Sequence, residues 1–226
     1  MKRRPSRIIR TSRLVTRIVF ASVALLSLLG GCARDTDLDE TGGLRVVRST
    51  CPAVAVPAYT GDVSLFSPEQ SHDARALDVI ATITNLRSQC DQTGSVVHAT
   101  VTFDVEARRA SPHGDRVVVL PYFSTVMRAG TRLMSKQESR VAIHFADGQL
   151  RATTTAQAGA DIEKSLAMLP PLAAERLNRK RKATDADASI DPLSDPRIKS
   201  AVNQANFELL IGFQLTEAQL AYNATR

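Results

Sequence analysis

Val97-His-Ala-Thr-Val-Thr-Phe-Asp-Val-Glu-Ala107 decides the fold. Val97, Ala99, Val101, Phe103, Val105 and Ala107 alternate with His98, Thr100, Thr102, Asp104 and Glu106. A period of two over eleven residues puts one side of a strand against a core and the other in water. Arg140-Val-Ala-Ile-His-Phe145 repeats the device, with Val141, Ile143 and Phe145 inward. Residues 77–86, rich in Val, Ile and Thr, read as a third strand. Residues 117–127 read as a fourth, in which Pro121 marks a bulge or an edge because it cannot donate to a ladder. Shorter runs at 54–59, 133–138 and 150–155 supply further strands. Between them stand Asp91-Gln-Thr-Gly94, Ser111-Pro-His-Gly-Asp115, Ala129-Gly130 and Asp147-Gly148, all with turn chemistry. Short strands joined by turns, without helices between them, predict a mainly β fold. The expected form is an antiparallel immunoglobulin-like sandwich, with a small barrel as the alternative.

The pattern changes in the C-terminal third, where short helices are expected. Residues 161–169 form an amphipathic helix stopped by Pro170-Pro171, and residues 172–177 add a turn or two. Asn178-Arg-Lys-Arg-Lys182 then runs into the acidic segment 185–191, so 178–191 reads as an exposed charged loop. A helix follows over 195–203. Residues 207–215 return to strand, with Phe207, Leu209, Ile211, Phe213 and Leu215 on one side. Thr216-Glu-Ala-Gln219 has the spacing of a capping box for a last helical turn ending near Asn223.

The start of the chain has a different character. Residues 1–17 carry seven basic side chains and no acid, and Ile18 to Leu29 carry no charge. A basic region followed by about a dozen apolar residues is a secretory signal, too short as a helix for the ~30 Å hydrocarbon core. Arg3-Arg4 lacks the apolar residue that twin-arginine export wants, so general secretion is the expected route. Leu29-Gly30-Gly31-Cys32 has the form of a bacterial lipobox, which predicts cleavage before Cys32 and acylation of its thiol. Two or three acyl chains hold a protein stably on a membrane. Residues 1–31 are therefore read as a lipoprotein signal peptide, 32–50 as the acylated cysteine with a flexible polar tether, and 51–226 as a single β-rich envelope domain. Ala33, where an Asp would favour inner-membrane retention, leans the expectation towards the outer membrane, with the domain facing the periplasm.

The net charge of +6 belongs to the whole chain. Cleavage removes seven of the 29 Lys and Arg, leaving 22 against 23 Asp and Glu, a net charge of −1. A near-neutral exported domain without a clustered basic face excludes nucleic acid as the expected partner. Cys51 and Cys90 are the remaining cysteines, and in an oxidising periplasm the expectation is a disulfide. His98 and His144 fall on the outward phase of their strands, where a shared sheet side would allow metal binding or acid–base work. Asp185, Asp187, Ser189 and Asp191 alternate like the first ligands of a calcium loop. Ile190 and Pro196 break that pattern where glycine and glutamate are required. No nucleophile elbow, phosphate loop or dinucleotide fingerprint occurs. There is no Trp, and aromatic residues make up 4% of the chain. No catalytic residue, metal site or cofactor is expected.

The terminal stretch Gly212-Phe-Gln-Leu-Thr-Glu-Ala-Gln-Leu-Ala-Tyr-Asn223 resembles that of a group of uncharacterised alphaproteobacterial envelope lipoproteins. Cys51-Pro52, Leu120-Pro-Tyr-Phe123 and the lipobox share the resemblance. It implies an envelope lipoprotein with a β-rich domain and brings no activity or catalytic residue with it. The expected function is a non-enzymatic binding or assembly module at the membrane, touching another envelope component through a sheet edge or the 178–191 loop. A periplasmic carrier of lipid or another apolar ligand is the alternative, and a hydrolase relying on His98 and His144 ranks last.

Overall fold

The computed structural model describes residues 49–71, 73–179, 184–187 and 189–225. Eight strands dominate: β1 (Ala53–Ala55), β2 (Asp62–Phe66), β3 (Leu77–Asp91), β4 (Val96–Arg109), β5 (Arg116–Arg128), β6 (Arg132–Phe145), β7 (Arg151–Glu163) and β8 (Phe207–Phe213). Among the described residues four short α-helices, α1 (Lys164–Ala167), α2 (Pro171–Asn178), α3 (Pro196–Gln204) and α4 (Glu217–Thr225), and two single 3-10 turns (Ala74–Ala76 and Pro192–Ser194) complete the set. The strands form two four-stranded sheets, sheet I in the order β1-β8-β5-β6 and sheet II in the order β2-β3-β4-β7. Every neighbouring pair is antiparallel except β1 and β8, which run parallel from Ala53↔Glu208 to Ala55↔Leu210.

The alternation in β4 holds at every position: Val97, Ala99, Val101, Phe103, Val105 and Ala107 are buried. Beside them β3 turns in Val79, Ala81 and Ile83, with Ala81 opposite Ala107 and Ile83 opposite Val105. Sheet I contributes Leu120, Ile143, Phe145, Leu209, Ile211 and Phe213 to the same apolar cluster. The two inner sides meet where Phe103 on β4 packs edge-on against Tyr122 on β5, with ring centroids 5.3 Å apart. The Tyr122 hydroxyl donates to the Gln157 carbonyl at 2.8 Å, tying β5 to β7 in the other sheet.

Several elements differ from the sequence expectation, each for a local reason. Residues 133–138 and 140–145 belong to one strand, β6, whose first nine residues are all exposed. Their alternation is silent because β6 is an edge strand and no layer covers that half. Strand β7 continues through Glu163, taking the start of the helix expected at 161–169. Pairing of Asp161, Ile162 and Glu163 with His98, Val97 and Val96 wins over local helical periodicity, leaving only Lys164–Ala167 helical. Strand β2 gives no long-range pattern in sequence, since five residues with both Val63 and Ser64 buried do not alternate. In the 54–59 run only β1 forms, and Tyr59 adopts a positive φ of 66°.

Pro121 sits where the ladder can spare a donor. It lies opposite Arg140 of β6, and its carbonyl accepts from Gln214 N at 2.9 Å just past the end of β8. Its missing N–H therefore faces the side where β8 has run out. The register shift in β5 falls instead between Val126 and Met127. At the C-terminus the capping box is reciprocal: Gln219 N donates to Thr216 Oγ1 at 3.3 Å and Thr216 N donates to Gln219 Oε1 at 2.9 Å. The helix it starts is clipped down by buried Asn223, whose Nδ2 donates to the carbonyls of Tyr59 and Asp62, each at 2.8 Å.

Candidate functional site

Cys51 and Cys90 lie at disulfide distance, with their Cα atoms 6.1 Å apart. The sulfurs join the chain just before β1 to the end of β3, and hydrogen bonds reinforce the join. Thr50 Oγ1 donates to Gln92 Oε1 at 2.6 Å, and Gln92 Nε2 donates to Ser49 Oγ at 3.4 Å. The same turn holds the start of α1, because Lys164 N donates to Ser95 O at 2.9 Å and Lys164 Nζ to Gln92 O at 2.5 Å. One pole of the domain thus gathers residues 49–51, the β3–β4 turn and α1. Leu29, Gly30, Gly31 and Cys32 lie outside the described residues, as do the signal peptide and nearly all of the tether.

The outer side of sheet II carries a polar cluster centred on Asp104. A bulge in β3 between Thr84 and Arg87, with Asn85 at a positive φ of 53°, re-aims two side chains towards β4. Asn85 Nδ2 donates to Asp104 Oδ2 at 2.6 Å, Arg87 approaches both carboxylate oxygens at 3.2 and 3.3 Å, and Thr155 Oγ1 donates at 2.9 Å. The Arg87 hydrogen bonds first, then those from Asn85 and Thr155, hold the Asp104 carboxyl down at about 2. Such a carboxylate is a structural hub and a poor proton carrier near neutral pH.

The opposite pole is organised by a residue that the pattern reading passed over. Arg109 ends β4 on its inward phase and is 2% exposed. Its Nε donates to Gln149 O at 2.7 Å, Nη1 to Gly114 O at 2.7 Å, and Nη2 to Pro112 O at 2.6 Å and Ala146 O at 2.9 Å. The guanidinium also stacks over Phe145, 5.3 Å from the ring centroid. It clasps the β4–β5 and β6–β7 connections to each other. Asp78 and Arg116 add a bidentate pair nearby, at 2.6 and 2.8 Å, which lowers the Asp78 pKa below the usual carboxylate value. The signal in the sequence was the phase itself: an arginine at the seventh inward position of an otherwise apolar series.

The structure does not bring the two singled-out histidines together. His98 is on sheet II, with Nδ1 2.7 Å from Asp161 Oδ1, whereas His144 is on sheet I, with Nε2 2.9 Å from Asp115 Oδ2. They head different sheets, so the shared side envisaged for them does not exist. His113 is exposed in the β4–β5 connection, and His72 lies outside the described residues. In the 178–191 segment, Arg179 donates to Asp187 at 2.6 Å and Asp191 Oδ1 accepts from Leu193 N at 2.9 Å, so those carboxylates serve the chain itself. Residues 180–183 and 188 are outside the described set. Among the described residues no three His, Cys, Asp or Glu side chains converge as a metal site would require. No described helix is long and apolar enough to cross a membrane.

A shallow groove of about 190 Å³ opens between β2 and β5, lined by Val63, Leu65, Val119, Pro121, Phe213 and Gln219 among others. It is smaller than the roughly 300–1,000 Å³ typical of small-molecule sites. Searches against protein-family models, curated proteins and solved structures find no match for this chain. Architecture therefore defines the class: a mainly β domain of two mostly antiparallel sheets with one cysteine pair at disulfide distance and a few short helices.

Proposed function

We propose that this chain is an exported bacterial lipoprotein, anchored through acylated Cys32, whose domain serves as a non-enzymatic binding or assembly module in the cell envelope. The observation that carries the address is the join of Cys51 to Cys90. Disulfides persist in oxidising compartments, and this one closes the domain where the chain arrives from the lipobox segment. The module reading rests on two features. The space between the sheets is filled by side chains such as Phe103, Phe145, Ile143 and Leu209, all essentially without exposure. The carboxylates and histidines that draw attention are spent on local partners. A carrier would need interior volume, and the groove beside Val119 is the place it would have to enlarge.

The finer architecture proposed is an immunoglobulin-like sandwich. Support comes from the single core shared by two facing sheets and from the first strand pairing in parallel with the last. The strand order departs from the immunoglobulin arrangement in keeping β2, β3 and β4 side by side in one sheet. The surface we assign to a partner is the free edge of β6, from Arg132 to Arg140, where Leu133 and Met134 stand among charged residues. Arg132 and Arg140 flank it with charge that discourages indiscriminate strand pairing, while Lys136 leans across the sheet onto Phe123 and Gln214.

The test is crosslinking of the intact protein in living cells from a photoreactive residue at position 134, with mass analysis of the Cys32 peptide in parallel. Capture of one discrete envelope protein, with a diacylglyceryl mass on Cys32, is the expected result. An unmodified Cys32 overturns the anchor. Capture of lipid alone moves the carrier ahead of the module.

A further inference from the structure

The geometry points to a second membrane contact: Leu166-Ala-Met-Leu-Pro-Pro-Leu172 rests on the bilayer surface beside the lipid anchor. This inference rests on the anchor proposed above. The segment contains no polar side chain over seven residues. Within it Leu166, Met168 and Leu172 are 37%, 55% and 66% exposed, and only Ala167 is buried. An exposed apolar cluster of this kind marks an interaction site.

Its place in the fold selects the occupant. Residues 49–51, the last of the chain coming from Cys32, are held to Gln92 and Cys90, and Gln92 O in turn accepts from Lys164, two residues before Leu166. The apolar segment therefore sits at the pole where the anchored chain enters the domain. Sixteen residues lie between Cys32 and Ser49, a reach of at most about 60 Å. A tether that short keeps the segment at high local concentration near the bilayer, so a weak contact suffices. Pro170 and Pro171 remove two backbone donors from the centre of the segment, which lowers the cost of leaving bulk water. They also make it a poor strand for pairing with a protein edge.

The experiment uses the full chain, processed and purified in detergent, then reconstituted into vesicles of phosphatidylethanolamine and phosphatidylglycerol. With Cys51 and Cys90 bonded and Cys32 acylated, Met168→Cys supplies one free thiol for an environment-sensitive fluorophore. His113→Cys places a control in the β4–β5 connection, about 40 Å away along β4. The expected result is a blue shift at position 168, with several-fold quenching by nitroxide-labelled lipid, and neither effect at 113. Acylated, vesicle-bound protein with an unshifted label at 168 overturns the contact and leaves the anchor standing. Absence of the acyl mass on Cys32 removes the anchor and this inference with it. A shift at 168 that is present without vesicles or detergent assigns the segment to a second copy of the chain and also overturns the inference.

Discussion

Replacing Arg109 by methionine removes the guanidinium while keeping most of the volume. Four carbonyl oxygens, of Pro112, Gly114, Ala146 and Gln149, lose donors at 2.6–2.9 Å. Each bond to a charged donor is worth about 1.5–3 kcal/mol, but four on one group do not add, and the freed carbonyls recover water as the loops open. Breaking a buried charged network of this kind costs about 3–5 kcal/mol. For a domain of this size that lowers Tm by roughly 6–20 °C. Arg109→Lys keeps the charge but offers three donors from one nitrogen in place of a planar fork, and should lose about half as much. With no Trp in the chain, guanidinium unfolding followed by far-UV circular dichroism, disulfide intact, is the suitable assay. Hydrogen exchange adds a local readout: the Gly148 amide, which donates to Pro112 O at 2.8 Å, should lose protection first. A methionine variant within about 1 kcal/mol of the wild type, with Gly148 still protected, would refute the clasp.

Gly212→Ala would drive a Cβ into Thr60 Oγ1 and bring it 2.9 Å from Phe123 Cζ, so it should cost about 1–3 kcal/mol, with part regained when Thr60→Gly is added; an unaltered unfolding midpoint would argue against the close approach. Reducing Cys51–Cys90, or Cys51→Ala with Cys90→Ala, opens a loop spanning 39 residues in sequence and should cost about 4 kcal/mol in denaturant unfolding. The Asp104 carboxyl, lowered from 3.8 to about 2, contributes stability that is fully present above pH 3.8 and is lost as pH falls through about 2. Asp104→Asn should therefore flatten the acid limb of the stability curve between those values, and a carboxyl resonance titrating near 3.8 would remove the hub.

The β pattern was legible wherever a strand had a core on one side and water on the other. Val97 to Ala107 satisfied that condition along its whole length, and in β8 Phe207, Leu209, Ile211 and Phe213 kept the inward phase although the other side is partly covered, with Gly212 buried. Legibility failed where that condition fails. The first nine residues of β6 are exposed throughout, so although 133–138 reads as a strand, nothing in its side chains shows that it continues into 140–145. Residues 161–163 open a segment with helical periodicity, yet they extend the β7 ladder along the side of β4 away from β3 at Val96, Val97 and His98, and ladder bonds outweigh a marginal helical turn. Which sheet each strand joins was not readable at all. His98 and His144 have identical outward phase, and only the pairing partners, which are long-range in sequence, separate them into different sheets.

Arg109 marks a case where the pattern held information that polarity concealed. The inward series of β4 runs 97, 99, 101, 103, 105, 107 and then 109, so the phase assigns Arg109 to the core side as firmly as it assigns Val105. Side-chain chemistry argues the reverse, since arginine is almost never fully buried without partners. Both rules are satisfied at once because the connections that follow β4 and β6 lack regular pairing and hold carbonyls in need of donors. Ser111-Pro-His-Gly-Asp115 includes Pro112, which contributes an acceptor and no donor, and Gly114, which turns at a positive φ of 78° and aims its carbonyl inward. An inward-phase arginine immediately before a proline- and glycine-containing connection thus predicts that the loop closes over the guanidinium. Phase should outrank polarity when an unsatisfied loop lies next in the chain, and the Arg109→Met experiment tests that ordering directly.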